Sequence, residues 1–102
     1  MYTYILRCKD NSLYCGYTTD ISRREEEHKN KIGSKYVRAH GFKKLELYIV
    51  LENKSLAMKM ECAIKKLSKG KKEKLIQGDD SIIDKLDIDY ISINRLSVDE
   101  RK

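Results

Sequence analysis

The chain has no proline and no tryptophan, and only one phenylalanine, five glycines and three cysteines in 102 residues. No proline, repeat or low-complexity tract marks a linker, so the length reads as one domain with a modest core. Cys8, Cys15 and Cys62 are odd in number and lack C-x-x-C spacing, which indicates neither a disulfide framework nor a zinc site. They read as reduced packing residues. No run approaches the roughly 18 apolar residues that span a bilayer. Met1 leads straight into a strand pattern rather than a signal-peptide layout, so a cytoplasmic chain with no membrane partner is expected.

Charge is abundant and unevenly placed. The formal net charge is +6, but residues 1–78 hold 18 Lys/Arg against 9 Asp/Glu while residues 79–102 hold 4 against 7. The first part is a basic body of net +9, suited to a polyanion such as nucleic acid; the second is an acidic extension. The extension carries Ile82, Ile83, Leu86, Ile88, Tyr90, Ile91, Ile93 and Leu96, too much apolar surface for a solvated tail. The expected organisation is a domain over 1–78 with the extension 79–102 docked on it, as a monomer or weak dimer.

Residues 2–8 and 13–18 are rich in Tyr, Thr, Ile and Leu and are separated by Lys9-Asp10-Asn11-Ser12, which predicts a β-hairpin. Thr19 or Asp20 can cap a helix from about Ile21 to Asn30, supported by Glu25–Lys29 and Glu27–Lys31 at favourable i,i+4 spacing. Residues 31–44 lack a clear period, contain two glycines and hold five Lys/Arg, and read as a basic loop. Leu45 to Leu51 reads as a buried strand. Leu56, Met60, Ala63, Ile64 and Leu67 then form the apolar stripe of a helix capped by Asn53 or Ser55. Gly70 is expected to break that helix, with a short basic helix over Lys71–Gln77 and another over roughly 81–90. Whether a further element occupies 90–96 is left open by the sequence. The order β-β-α-β-α-α implies an α+β fold, a small sheet covered by helices.

Several residues carry phosphodiester chemistry if brought together. Cutting such a bond requires an activated water, charge neutralisation on the phosphate and help for the leaving oxygen. Tyr4 and Tyr14 lie ten residues apart, Arg24 ten residues after the second, and His28 one helical turn beyond Arg24 on the same face. Glu61 lies at the edge of the later apolar stripe. Taken singly, each has a plainer reading: strand tyrosines that pack, a surface histidine, and a Glu61–Lys65 helix pair.

Read as Tyr2-Thr3-Tyr4-Ile5-Leu6, Leu13-Tyr14-Cys15-Gly16-Tyr17-Thr18, Arg23-Arg24 with His28, and Glu61, the constellation resembles that of the GIY-YIG nucleases, in particular their small stand-alone bacterial branch. The resemblance covers residues 2–78. It implies a three-stranded antiparallel sheet flanked by helices and a metal-dependent endonuclease acting on DNA, with structure-selective or single-stranded substrates. The alternative is a catalytically weak nucleic-acid-binding module. Carried over, Tyr14 and secondarily Tyr4 orient or deprotonate water, Arg24 holds the scissile phosphate and His28 assists. Glu61 anchors Mg²⁺ or Mn²⁺, and Gly16 permits close backbone approach. Lys35, Tyr36 and Arg38 lie in a stretch similar to one in that branch, and are expected to meet phosphates and stack on a base. The chain departs from the family pattern at Tyr2-Thr3, Cys15 and Glu25, and has no asparagine within 62–78.

Overall fold

The computed structural model describes residues 1–96. Strands β1 (Tyr2–Cys8) and β2 (Leu13–Thr18) form the expected hairpin, closed by a turn in which Asn11 takes a positive φ of 71°. Helix α1 (Ile21–Lys29) follows, with Asp20 accepting from the Arg23 N–H as its cap. Next come α2 (Lys35–His40), β3 (Phe42–Val50), α3 (Lys54–Lys65), α4 (Lys69–Gln77), the single turn α5 (Ser81–Asp84) and β4 (Ser92–Arg95). The strands lie in the order β2-β1-β3-β4, and each neighbouring pair is antiparallel.

Alternation along β1 divides the core. Ile5 faces Leu47, Ile49, Ala57, Met60 and Ile64 beneath α3 and α4. Tyr4, Leu6 and Cys8 face Val37 and Leu45, on the side covered by α1 and α2. Full burial of a side chain such as Met60 or Ile64 is worth about 1.5–3 kcal/mol before ordering costs. Arg7 is the one charged residue of β1. Its guanidinium donates to Glu46 at 2.6 Å and to both oxygens of Glu73 at 2.6 and 2.7 Å, so a buried charge has two carboxylate partners.

Several elements depart from what the sequence predicts. The sheet has four strands rather than three, because β4 pairs with the edge of β3 through Val50↔Ser92 to Leu47↔Arg95. The segment expected as a basic loop contains α2, capped by the Ser34 hydroxyl accepting from Val37 N–H. Gly70 breaks nothing: α3 already ends at Lys65, and Ser68 caps α4, which contains Gly70. The helix expected over 81–90 is one turn.

The ion pairs of α1 differ as well. Glu27 pairs with Arg24 and Arg23, and Lys29 with Glu26, while Lys31 lies beyond the Asn30 cap in a left-handed conformation. Glu27 and Lys31 therefore do not face each other on a helix.

Beyond Gly78, Ile83 is fully buried in the α3/α4 core, and Ile82, Leu86, Ile88, Tyr90 and Ile93 pack against it. Arg95 pairs with Asp80 and donates to the Leu75 carbonyl at 2.9 Å. Residues 97–102 of the acidic extension lie outside the described residues. Among those described, no helix is long and apolar enough to cross a membrane.

Candidate functional site

The site is built on the face of the sheet that carries Tyr4. Tyr4 and Gly16 are register partners across β1 and β2, and Tyr14 precedes Gly16 by two residues on the same face. Helix α1 crosses this face and presents Arg24 and His28, one turn apart. Their side chains converge on one atom. The Tyr4 hydroxyl lies 2.9 Å from Nε2 of His28, and Arg24 Nε donates to it at 3.3 Å.

The Tyr4 oxygen accepts from Arg24. The direction of its bond to Nε2 is set by the imidazole tautomer: with the ring proton on Nδ1 the Tyr4 hydroxyl donates to Nε2, and with it on Nε2 the ring donates to the Tyr4 oxygen. His28 is 3% exposed, and burial, then the nearby Arg24 charge, lowers its pKa to about 4. It is neutral at physiological pH. Burial pushes Tyr4 up to about 12 against the opposing pull of Arg24, so its phenolate is not populated there. Nδ1 of His28 is buried without a hydrogen-bond partner among the described residues.

Two glycines make room for this arrangement. A Cβ on Gly16 would fall 2.5 Å from the Tyr4 hydroxyl, and one on Gly33 would fall 2.3 Å from His28 Nδ1. The Tyr4 ring and the imidazole occupy space that any side chain at those positions would take.

Tyr14 closes the cluster on its more open side. Its ring centroid lies 6.3 Å from Tyr4 and 5.9 Å from His28, and Tyr36 stacks on it at 5.8 Å. Tyr36 in turn stacks on His40 at 4.1 Å, and His40 pairs with Asp10. Helix α2 thus lays an aromatic column against the site, with Tyr36 still 39% exposed. Lys35 and Arg38 on the same helix are exposed.

Arg24 also donates to Glu27 at 2.9 Å, which fixes part of its fork. Its side chain remains 29% exposed, and its charge is reinforced first by the Tyr4 hydrogen bond.

Glu61 stands apart from Tyr4, Tyr14, Arg24 and His28. Its helix, α3, packs on the opposite face of the sheet, and its backbone carbonyl accepts from Cys15 Sγ at 4.0 Å. Cys15 lies between Tyr14 and Gly16 on the edge strand β2, and points to the other face. After burial, the Glu61 charge is the next cause that pushes the Cys15 thiol up to about 12. The carboxylate therefore sits at the sheet edge beside the second tyrosine motif, where it pairs with Lys65 Nζ at 3.7 Å. The helix pair that the spacing allowed is formed.

Among the described residues no group of three or more His, Cys, Asp or Glu could hold a metal ion. A lone carboxylate still suits Mg²⁺, which keeps several waters and takes one or two carboxylates plus substrate oxygens. The donor set fits a cation completed by a phosphate; it does not fit a closed protein cage.

Sequence reasoning missed the walls of the histidine pocket. Phe42 stacks on His28 at 6.4 Å and 7°, and Gly33 backs Nδ1. Both lie in the segment without periodicity, and the glycine itself was the one available signal.

Residues 1–74 match the GIY-YIG catalytic domain. The chain is 42% identical over 82 residues to UPF0213 protein FN1575 of Fusobacterium nucleatum, an alignment spanning 80% of this chain and 82% of that protein. It is 45% identical over 78 residues to UPF0213 protein VC_A0739 of Vibrio cholerae, spanning 76% and 77% of the two chains. A solution NMR structure of the UPF0213 protein BH0048 from Bacillus halodurans is similar at 41% identity and TM-score 0.49, covering 86% of this chain and 97% of that one.

Proposed function

This chain belongs to the GIY-YIG family, and we propose that it is a metal-dependent endonuclease that hydrolyses phosphodiester bonds of DNA at the cluster of Tyr4, Tyr14, Arg24 and His28. The observation that carries the reading is the Tyr4 hydroxyl held between a fixed cation, Arg24, and a neutral imidazole, His28.

In this reading the free donors of the Arg24 fork hold the scissile phosphate. Tyr14, at the open side, orients the attacking water. Tyr4 is too weak an acid to wait as a phenolate, so it acts as a relay: it takes a proton from the water while its own proton passes to Nε2 of His28. The water oxygen bonds to phosphorus, the bond to the leaving oxygen breaks, and that oxygen takes a proton from solvent. A divalent cation anchored by Glu61, Mg²⁺ or Mn²⁺, would supply charge neutralisation on the phosphate and the leaving oxygen.

Nucleic acid as substrate class is supported by the +9 charge of residues 1–78 and by the exposed Lys35, Tyr36 and Arg38 on α2. Tyr36 already stacks on Tyr14 and on His40, so an unpaired base of single-stranded or distorted DNA would stack beside the reacting centre by taking the place of His40.

One observation favours a second reading, a nucleic-acid-binding module of weak catalytic power: Glu61 is paired with Lys65 and approaches from the opposite face of the sheet. The two readings separate on incubation of the purified protein with single-stranded, duplex and branched DNA and with RNA, with Mg²⁺ or Mn²⁺ and with chelator. Cation-dependent scission that chelator abolishes supports the enzyme; binding without scission on every substrate supports the module.

A further inference from the structure

A second cleft opens beside His28, and its charge is of one sign. It encloses about 160 Å³ and is lined by Lys9, Lys29, Lys31 and Arg38 around the rings of His28 and Phe42, with no carboxylate among its lining residues. Lys29 has Glu26 at 3.6 Å outside the cleft. Cations gathered around one concavity repel each other, and the field they make there attracts an anion.

The backbone at the rim points the same way. Lys31 directly follows the α1 cap and has φ 64°, a position where glycine is the usual occupant because a Cβ is strained. A lysine stands there instead, and its side chain lines the cleft. On the opposite rim Gly41 has φ 80°, and a Cβ on it would meet Lys9 Cδ at 3.0 Å. A side chain is kept at Lys31 where it costs strain, whereas Gly41 takes its positive φ as glycine does freely.

Size narrows the occupant. At a liquid share of about 30 Å³ per water the cleft holds roughly five waters. It is well below the ~300 Å³ at which pockets for drug-sized ligands begin. A tetrahedral oxyanion fits that space.

We propose that this cleft is a phosphate subsite that seats one phosphate group of the substrate strand, distinct from the phosphate held by Arg24, with His28 as the wall shared by the two sites. That the phosphate belongs to a substrate strand rests on the nuclease reading; that the cleft binds phosphate does not. The group is either an internal diester of the strand or a terminal monoester, and either would fix the register of the strand against the Tyr4–His28 relay.

The test is an NMR titration of inorganic phosphate into the full chain without metal or nucleic acid, at constant ionic strength, with chloride as control. Saturable shifts are expected at the His28 ring, Lys31 and Phe42. Lys31→Gly should weaken phosphate about tenfold while leaving the melting temperature unchanged or raised, because glycine relieves the left-handed strain. Lys9→Ala should weaken phosphate similarly.

Short oligonucleotides then distinguish the sources. A preference for a 5′-phosphate over a 5′-hydroxyl that disappears in Lys31→Gly assigns the subsite to a strand terminus. Equal affinities that fall together in the variant assign it to an internal phosphate. Shifts no larger than those from chloride, or phosphate affinity unchanged in both variants, overturn the subsite. Because neither metal nor scission enters the titration, an inactive protein that binds phosphate here fails only the nuclease reading, and an active one without the response fails only the subsite.

Discussion

The Tyr4 hydroxyl and Nε2 of His28 are 2.9 Å apart across 24 residues of sequence, joining strand β1 to helix α1 through a buried hydrogen bond. The environment of that bond keeps the imidazole neutral. The folded pKa of His28 is lowered to about 4, below the ordinary value of about 6.5. Between those values the unfolded chain binds a proton at this residue and the folded chain does not, so this contribution to stability is complete above about 6.5 and is lost as pH falls toward about 4. Denaturant unfolding of wild type and His28→Gln across that window should show a steeper acid loss in the wild type. Parallel curves would contradict a His28 that rests neutral in the folded chain.

Gly16→Ala should damage both stability and the site. The added Cβ would lie 2.5 Å from the Tyr4 hydroxyl and 2.8 Å from Cζ, and Tyr4 is 1% exposed with nowhere to retreat. Overpacking of this kind costs about 1–3 kcal/mol. Gly70→Ala is the contrast: within α4 the added carbon meets nothing closer than the Ser68 hydroxyl at 4.0 Å. It should stabilise by about 0.5–1 kcal/mol. Melting curves for the two variants should move in opposite directions.

Removing Arg7 leaves the Glu46 carboxylate, whose side chain is 3% exposed, without its closest cationic contact. Arg7→Met is expected to cost about 3–5 kcal/mol, the usual cost of breaking a buried pair from one side. Urea unfolding reads this directly. A double variant, Arg7→Met with Glu46→Gln, should recover part of the loss; no recovery would mean that the guanidinium acts through Glu73 instead.

We propose that the acidic extension is a structural part of the domain although the family match ends at residue 74. Truncation after Gly78 removes Ile83 from the core and strips β4 from the edge of β3. Loss of Ile83 alone withdraws about 1.5–3 kcal/mol of burial. Calorimetry should show a lower melting temperature in the truncated chain, and an unchanged melt would contradict the proposal.

The hairpin and the α3 stripe were legible in the sequence because alternation and helical period are local and strong. Helix α2 was not, since only Val37 in it is buried and one buried position makes no period. Its one signal was Ser34, three residues before Val37, in the arrangement of an N-cap. The sequence raised an element at 90–96 but not that it is a fourth strand, because Ser92–Arg95 is short and half-buried throughout.

The site was legible through a resemblance that placed Tyr4, Tyr14, Arg24 and His28 together; spacing alone shows only that Arg24 and His28 share a helix face. Contacts between distant segments left no local trace. Arg7 meets Glu46 and Glu73 across 39 and 66 residues. The charge pattern of a strand does not say which carboxylate will face it.

Strand scission by Glu61→Ala, measured beside its nucleic-acid affinity, tests the central claim most directly, because an anchoring carboxylate is needed for cutting and contributes little to holding a polyanion. Wild type should cut with Mg²⁺ or Mn²⁺. Glu61→Ala should lose cation-dependent scission while binding as tightly or slightly more tightly, with circular dichroism and melting near wild type. Scission undiminished in Glu61→Ala, or no scission by the wild type with any cation on any substrate, would contradict the account.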